Sequence, residues 1–416
     1  MSCENINVTV QPVSINGTNT DSFGRLRVSQ PYTLFDSQNR YQVDGQFDTS
    51  IVSGGSTSYL PNEATVVMTV NTTSGAEVVR QSYRSMPYQP GKGLLALNTF
   101  VMATGKTNLR QRVGYFGTQN GAYFELTGTD TKAFVLRSYI SGSVDNTSRR
   151  VEQSSWNGDK LNGTGASGYT LDLTKPQILW MDFEWLGVGN VRCGFIINGL
   201  YIVCHTYQTA NVYGSSVYMT TAILPVRYEI TNTGTTASSS SMKQICSSVV
   251  SEGGYEQYSI GHIARNTTKV STIGLTAKPI VSIRMASNRE GSVIVPNRIQ
   301  VLPITSQNYE IFLVKNATLS GASWSAVSTD PNVEQDTSAT SYTGGSIVQT
   351  DYLSSSGSGG TNPLVDPAGY NWALQLGASL AGVSDILTLA IRTIDSATPS
   401  GDCYGSVSFW DLSYNP

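Results

Sequence analysis

Hydrophobic and polar positions alternate with a period of two along most of this chain. In the stretch 178–185, Leu179, Met181, Phe183 and Trp185 fall on one face, and Ile178, Trp180, Asp182 and Glu184 on the other. Successive side chains of a strand point to opposite sides, so the first set predicts a core-facing row. The second set starts apolar and ends acidic, as a strand running toward a rim does. Next come two apolar runs, 191–197 and 200–207, separated by Asn198-Gly199. Both residues of a type I′ turn need positive φ, which Asn and Gly accept at least cost, so a hairpin is predicted. Gln119-Asn120-Gly121 predicts another, joining 112–118 to 122–127 with Phe124 and Leu126 inward, followed by a strand at 133–140. Further strands are expected at 63–70, 78–84, 216–222 and 225–231, then at 279–285, 309–315, 370–376, 386–393 and 404–412. Helices should be few and short, because no convincing 3.6-residue spacing is sustained.

The pattern predicts an all-β chain of 416 residues in three zones. Residues 1–45 are polar and weakly patterned and are expected to form an extended N-terminal arm. Residues 46–258 form one large β-sandwich, with Ala237–Ser241 as a long loop near its end. Residues 259–416 form a second, jelly-roll-like sandwich interrupted by the low-complexity run 354–360. An arm with no core of its own is ordered when something holds it, which points to an assembly contact.

Composition narrows the function. Charged residues make up 13% of the chain, against about 25% in an average globular protein. A surface of Ser, Thr, Asn, Gln and Gly loses little on being covered, since few full charges need desolvating. A net charge of −3 removes the drive for nucleic-acid binding. The closest approaches to basic clusters, Arg25/Arg27, Arg110/Arg112 and Arg149/Arg150, read as strand faces or interface charges. No apolar run approaches the ~20 residues of a membrane helix, and the N-terminus lacks a signal-peptide pattern. Five widely spaced cysteines without a C-x-x-C pair argue against a zinc site or a disulfide framework. They are expected to be free, mostly buried thiols in a chain made in the cytosol.

Candidate chemistry is sparse. Only His205 and His262 could serve a His-dependent mechanism, and the adjacent Cys204 and His205 should point to opposite faces of a strand. Gly105-Lys-Thr107 lacks the upstream glycine of a phosphate loop, and Gly165-Ala-Ser167 lacks the second glycine of a nucleophile elbow. Asp182 and Glu184 share a face, as paired carboxylates of a glycosidase would. However, Trp180 and Gly187 stand where the laminarinase-type pattern has its outer carboxylates. The expectation is no enzyme, no catalytic residue, no cofactor and no metal. Twenty-two tyrosines against eleven phenylalanines suit contact surfaces or sugar platforms, and equally suit strand rims.

The stretch Asp21-Ser-Phe-Gly-Arg-Leu-Arg-Val-Ser-Gln-Pro-Tyr-Thr-Leu-Phe-Asp-Ser37 resembles a signature of virion-associated structural proteins from tailed phages, marine and cyanophage-like ones above all, and from some large DNA viruses. The likeness continues through Arg112–Phe116, Asn120–Glu125, Trp156–Lys160, Asp182–Gly189 and Leu224–Glu229, covering roughly residues 20–260. The 191–207 hairpin is also similar to the concanavalin A/laminin G type of sandwich. The resemblance implies a virion component, assembled in the host cytoplasm, acting as a capsid decoration, knob or fibre. Its partners would be other capsid or tail proteins and further copies of itself, a trimer being favoured, with no nucleic acid and no membrane insertion. Phe23, Arg25, Arg27, Tyr32 and Phe35 are the expected assembly contacts. The alternative is a tail or capsid receptor-binding protein that recognises host glycans through the lectin-like domain.

Overall fold

The computed structural model describes residues 30–212, 215–255, 261–327, 329–353, 361–363, 372–395 and 400–413. Among them every extended element is a β-strand, and the helical content is two short 3-10 turns, at Gln153–Ser155 and Trp372–Leu374. The chain folds as two β-sandwiches.

The first sandwich uses strands β1 (Pro31–Gln38), β2 (Phe47–Val52), β3 (Gly55–Leu60), β4 (Thr65–Val70), β5 (Glu77–Ser82), β6 (Leu94–Val101), β7 (Leu109–Phe116) and β8 (Gly121–Thr127). It continues with β9 (Thr131–Arg137), β10 (Arg150–Glu152), β11 (Gln177–Phe183), β12 (Val191–Ile197), β13 (Leu200–Tyr207), β14 (Val226–Asn232) and β15 (Ser240–Glu252). One sheet has eight strands, in the order β13-β12-β11-β6-β15-β4-β3, with β1 also pairing with β15; the facing sheet has seven, in the order β10-β9-β8-β7-β14-β5-β2. Leu179, Met181, Phe183, Phe100 and Phe195 of the first sheet meet Val113, Tyr115, Phe124, Phe134 and Tyr228 of the second in one core. Edge-to-face rings tie it together, Phe124 lying 5.2 Å from Phe195 and Tyr115 5.2 Å from Phe183, a geometry that adds to plain area burial.

The Asn-Gly hairpin is as expected: β12 and β13 flank Asn198 (φ 52°) and Gly199 (φ 80°). Phe124 and Leu126 point inward. Three expectations change. Residues 216–222 are irregular, because consecutive Tyr218 and Met219 are both buried and cannot alternate. Of 370–376, the part from 372 is a 3-10 turn and loop rather than a strand. The serine-rich run near 237–241 leads directly into β15, which is the longest strand, pairing with β6 along one edge and with β4 and then β1 along the other.

The second sandwich contains β16 (Gly261–Arg265), β17 (Val270–Ile273), β18 (Lys278–Met285), β19 (Ile294–Pro303), β20 (Tyr309–Lys315), β21 (Thr318–Ser320), β22 (Ser325–Val327) and β23 (Asp330–Asp336). The remaining strands are β24 (Ser341–Thr343), β25 (Ser346–Leu353), β26 (Thr361–Pro363), β27 (Ile386–Thr393) and β28 (Gly401–Asp411). A sheet of β16, β17, β19, β26 and β28 faces one of β22, β23, β18, β27, β20 and β25. Ile299 and Val407 from the first and Ile283 and Leu389 from the second share a core. The low-complexity run 354–360 lies outside the described residues.

The sandwiches touch through the segment 375–385. Gln375 Nε2 donates to the Ser85 carbonyl (2.9 Å), the Ala378 N–H to the Tyr83 carbonyl (2.9 Å) and the Leu380 N–H to Asp48 Oδ2 (2.7 Å). Gly377 permits this approach, since a Cβ there would stand 2.8 Å from the Tyr83 carbonyl oxygen.

Candidate functional site

The outer face of the eight-stranded sheet is built from three cross-strand rows. Register places Ser248, Leu97, Trp180, Gly194 and Val203 side by side on β15, β6, β11, β12 and β13. One row over stand Cys246, Thr99, Ile178, Ile196 and Tyr201; on the other side stand Val250, Leu95, Asp182, Arg192 and Thr206. Two of the rows are mainly apolar and the third carries an ion pair. Trp180 is only 3% exposed although it points away from the core. Its indole lies over Gly194, where no side chain competes for the space, and the ring is inclined at 63° to that of Tyr201 with centroids 5.6 Å apart. Tyr201 itself is 55% exposed, and Ile178, Leu200 and Val203 are exposed beside it.

A groove of about 420 Å³ runs along this face, lined by Leu97, Thr99, Ile178, Ile196, Ile245 and Cys246, with Gln38, Asn39 and Arg40 at its rim. Its floor is hydrocarbon and its polar groups sit at the margin. Such an arrangement gains free energy by excluding water from apolar area; it has few converging donors to read a polar ligand.

Asp182 is not one half of a carboxylate pair. It binds Arg192, whose Nε donates to Oδ2 at 2.9 Å. Glu184 lies beyond the end of β11, is exposed, and accepts the Asn190 N–H. The strand stops at Phe183, so the two carboxylates never share a continuous pleat. Burial brings His205 down to about 4, and its Nδ1 accepts the Asn157 N–H at 3.3 Å. It is a neutral packing residue. A bulge between Cys193 and Gly194 leaves both Cys204 and His205 buried, contrary to simple alternation. Burial pushes Cys204 and Cys403 up to about 12, which keeps these free thiols inert.

In the second sandwich, His262 stacks on Phe409 with centroids 5.6 Å apart, and its Nδ1 lies 3.1 Å from Thr329 Oγ1. Next to it Asp330 is buried, with Oδ1 accepting the Asn332 N–H and Oδ2 left without a donor. Burial, reinforced by Asp411, pushes its carboxyl above the ordinary range. Among the described residues no group of three or more His, Cys, Asp or Glu is arranged to hold a metal, and no helix is long and apolar enough to cross a membrane.

On the outer face of the seven-stranded sheet, Arg112 Nε bonds Glu125 (2.8 Å) and Arg227 Nε bonds Glu229 (2.6 Å), while Arg150 reaches Glu125 at 3.2 Å. Burial acts to raise Glu229, but Arg227, Arg112 and Arg137 outweigh it and hold its carboxyl below the usual range. Three of the four arginines in the Arg110/Arg112 and Arg149/Arg150 pairs thus have partners within the sandwich, whereas Arg110 Nε is buried without one. Arg112 and Arg150 are parts of the lattice, and Arg149 donates to the Tyr218 carbonyl.

The expected assembly residues are divided. Phe23, Arg25 and Arg27 lie outside the described residues. Tyr32 and Phe35 belong to β1, which is a strand of the first sandwich rather than part of a free arm. Phe35 is 2% exposed, with its ring 5.8 Å from Phe47 and the Arg84 guanidinium over it at 5.8 Å. Tyr32 packs against the same core. These two side chains therefore hold β1 to its own sandwich. A cleft of about 590 Å³ beside them, between the two sandwiches, is lined by Phe35, Gln46, Arg84, Lys315 and Asp385.

No protein-family model matches the chain, and no curated protein matches it. Among solved structures, it is similar to the Emp47p carbohydrate recognition domain (12% identity, 58% of this chain and 100% of that one, TM-score 0.33). It is also similar to the CBM2 module of an evolved Dit from Lactobacillus casei BL23 phage J-1 (8%, 56% and 100%, TM-score 0.35). A third is a Bacillus licheniformis β-glucanase (11%, 53% and 98%, TM-score 0.32). Likenesses this distant carry no argument about what the chain does.

Proposed function

We propose that this chain is a non-catalytic structural protein of a virus particle, a capsid decoration, knob or fibre component, which assembles through protein–protein contacts. The virion setting rests on the resemblance across residues 20–260. The contact surface rests on one observation: the outer face of the eight-stranded sheet carries an apolar groove over Leu97, Ile178 and Ile196, with the exposed Tyr201 ring beside it. The occupant is a second copy of this chain. A stable contact buries about 1,200–2,000 Å² in total. A trimer is the favoured state, from the knob-and-fibre architecture that the resemblance implies. Replacing Ile178 and Tyr201 by Lys should abolish association in solution and incorporation into particles while leaving the fold intact.

One observation favours a second reading, host-glycan recognition by the same domain. Tyr201 offers an exposed ring in edge contact with Trp180, with the Asp182–Arg192 pair two residues further along β11. Saturable, Tyr201-dependent binding on a glycan array would support that reading; a blank array would favour pure architecture.

A further inference from the structure

We infer that the first sandwich encloses a site for a small monovalent anion of the chloride class, held between its sheets by Arg80, Asn98 and Gln244. Arg80 on β5 is 3% exposed and points into the core. Its Nε donates to Gln244 Oε1 at 2.5 Å, its Nη1 to Thr49 Oγ1 at 2.8 Å, and the Phe47 ring lies 5.6 Å from its guanidinium. Every one of these partners is neutral. Nη2 has no partner at all. Asp44 and Asp48 act on it only at longer range, and burial lowers it no further than about 10, so it is a cation at neutral pH. A buried charge with no counter-charge bonded to it is costly for a fold to hold.

Unpaired groups converge on the same place. Ser37, Ser247 and Asn98 stand in one cross-strand row on β1, β15 and β6, all facing inward. Tyr228, opposite Arg80 in the β14–β5 pairing, reaches across the core to Ser247 Oγ at 2.7 Å, which brings the row and the guanidinium together. Ser37 Oγ, both amide atoms of Asn98 and Gln244 Nε2 lack partners, and all three residues are essentially fully buried. Three nitrogen donors are thus left over around this place: Arg80 Nη2, Asn98 Nδ2 and Gln244 Nε2. Water would satisfy the amides and leave the charge; a halide accepts from all three and neutralises it. The site also explains why β15, a central strand, is so polar.

The test uses the full-length protein purified without halide. Crystals soaked in sodium bromide should show an anomalous peak beside Arg80 Nη2. Thermal midpoints should rise with added sodium chloride or bromide, relative to sodium gluconate at equal ionic strength. Arg80→Met should lose that rise, and Asn98→Leu, which keeps the cation, should weaken it and serves if the first variant fails to fold. Water without anomalous signal at the site overturns the inference. So do equal midpoints in the three salts, or a halide rise undiminished in Asn98→Leu.

Discussion

The Trp180 indole occupies the space that a side chain at Gly194 would take: a Cβ built there would sit 2.9 Å from Nε1. The same Cβ would stand 1.9 Å from the Ile202 carbonyl oxygen, so neither the ring nor the bulged backbone leaves room. Gly194→Ala should therefore cost about 1–3 kcal/mol, the range for overpacking, and tilt the indole out of the platform. Urea denaturation with tryptophan emission as the probe measures both effects. An unchanged midpoint and spectrum would show that Gly194 does not set the platform.

The Arg–Glu lattice on the seven-stranded sheet makes the first sandwich acid-sensitive. Glu229 is held below its ordinary range, so its contribution is fully present above the unfolded value of about 4.3 and fades as pH falls through the lower folded value. Glu229→Gln removes the charge between Arg227 and Arg112 and should cost about 3 kcal/mol at neutral pH. Its stability should then vary less than the wild type's below pH ~4. Denaturant midpoints across pH 3–7 check this.

Asp330 has the opposite sign. Its carboxyl is pushed up by burial and by Asp411, so its contribution is complete below the unfolded value of about 3.9 and is lost as pH rises through the folded value. Asp330→Asn keeps the acceptor for the Asn332 N–H and supplies a donor toward Asp411. The variant should be more stable at pH 7 by about 1 kcal/mol, with the gain vanishing in acid. A loss of stability at pH 7 would contradict the reading of Asp330 as a buried carboxyl held above its ordinary range.

The two sandwiches should melt together only while the segment 375–385 is docked. Asp48→Ala removes the acceptor of the Leu380 N–H and should split one calorimetric transition into two or broaden it. A single transition of unchanged width would mean that the remaining contacts suffice.

What the sequence revealed follows from how local each signal is. The 191–207 hairpin was legible because its turn residues sit beside the strands they join. β15 was not, because the polar residues Gln244, Ser247 and Ser251 are buried on its inward face and Ile245 is bulged out, so the strand shows no clean hydrophobic alternation. β1 was obscured by its own irregularity between Thr33 and Phe35, which buries Leu34 and Phe35 in succession. Ile178, Trp180 and Asp182 were already recognisable as a non-core face. The platform they belong to was hidden, since its rows join residues as far apart as Leu97 and Ser248, and only pairing across β6 and β15 brings them together.

The contact role of that platform is tested most directly by sedimentation velocity across a concentration series, comparing the wild type with Ile178→Lys/Tyr201→Lys. The wild type should associate, with a trimer as the end point, and the double variant should sediment as a folded monomer at every concentration. A wild type that stays monomeric throughout, or a variant that associates just as well, would contradict the account.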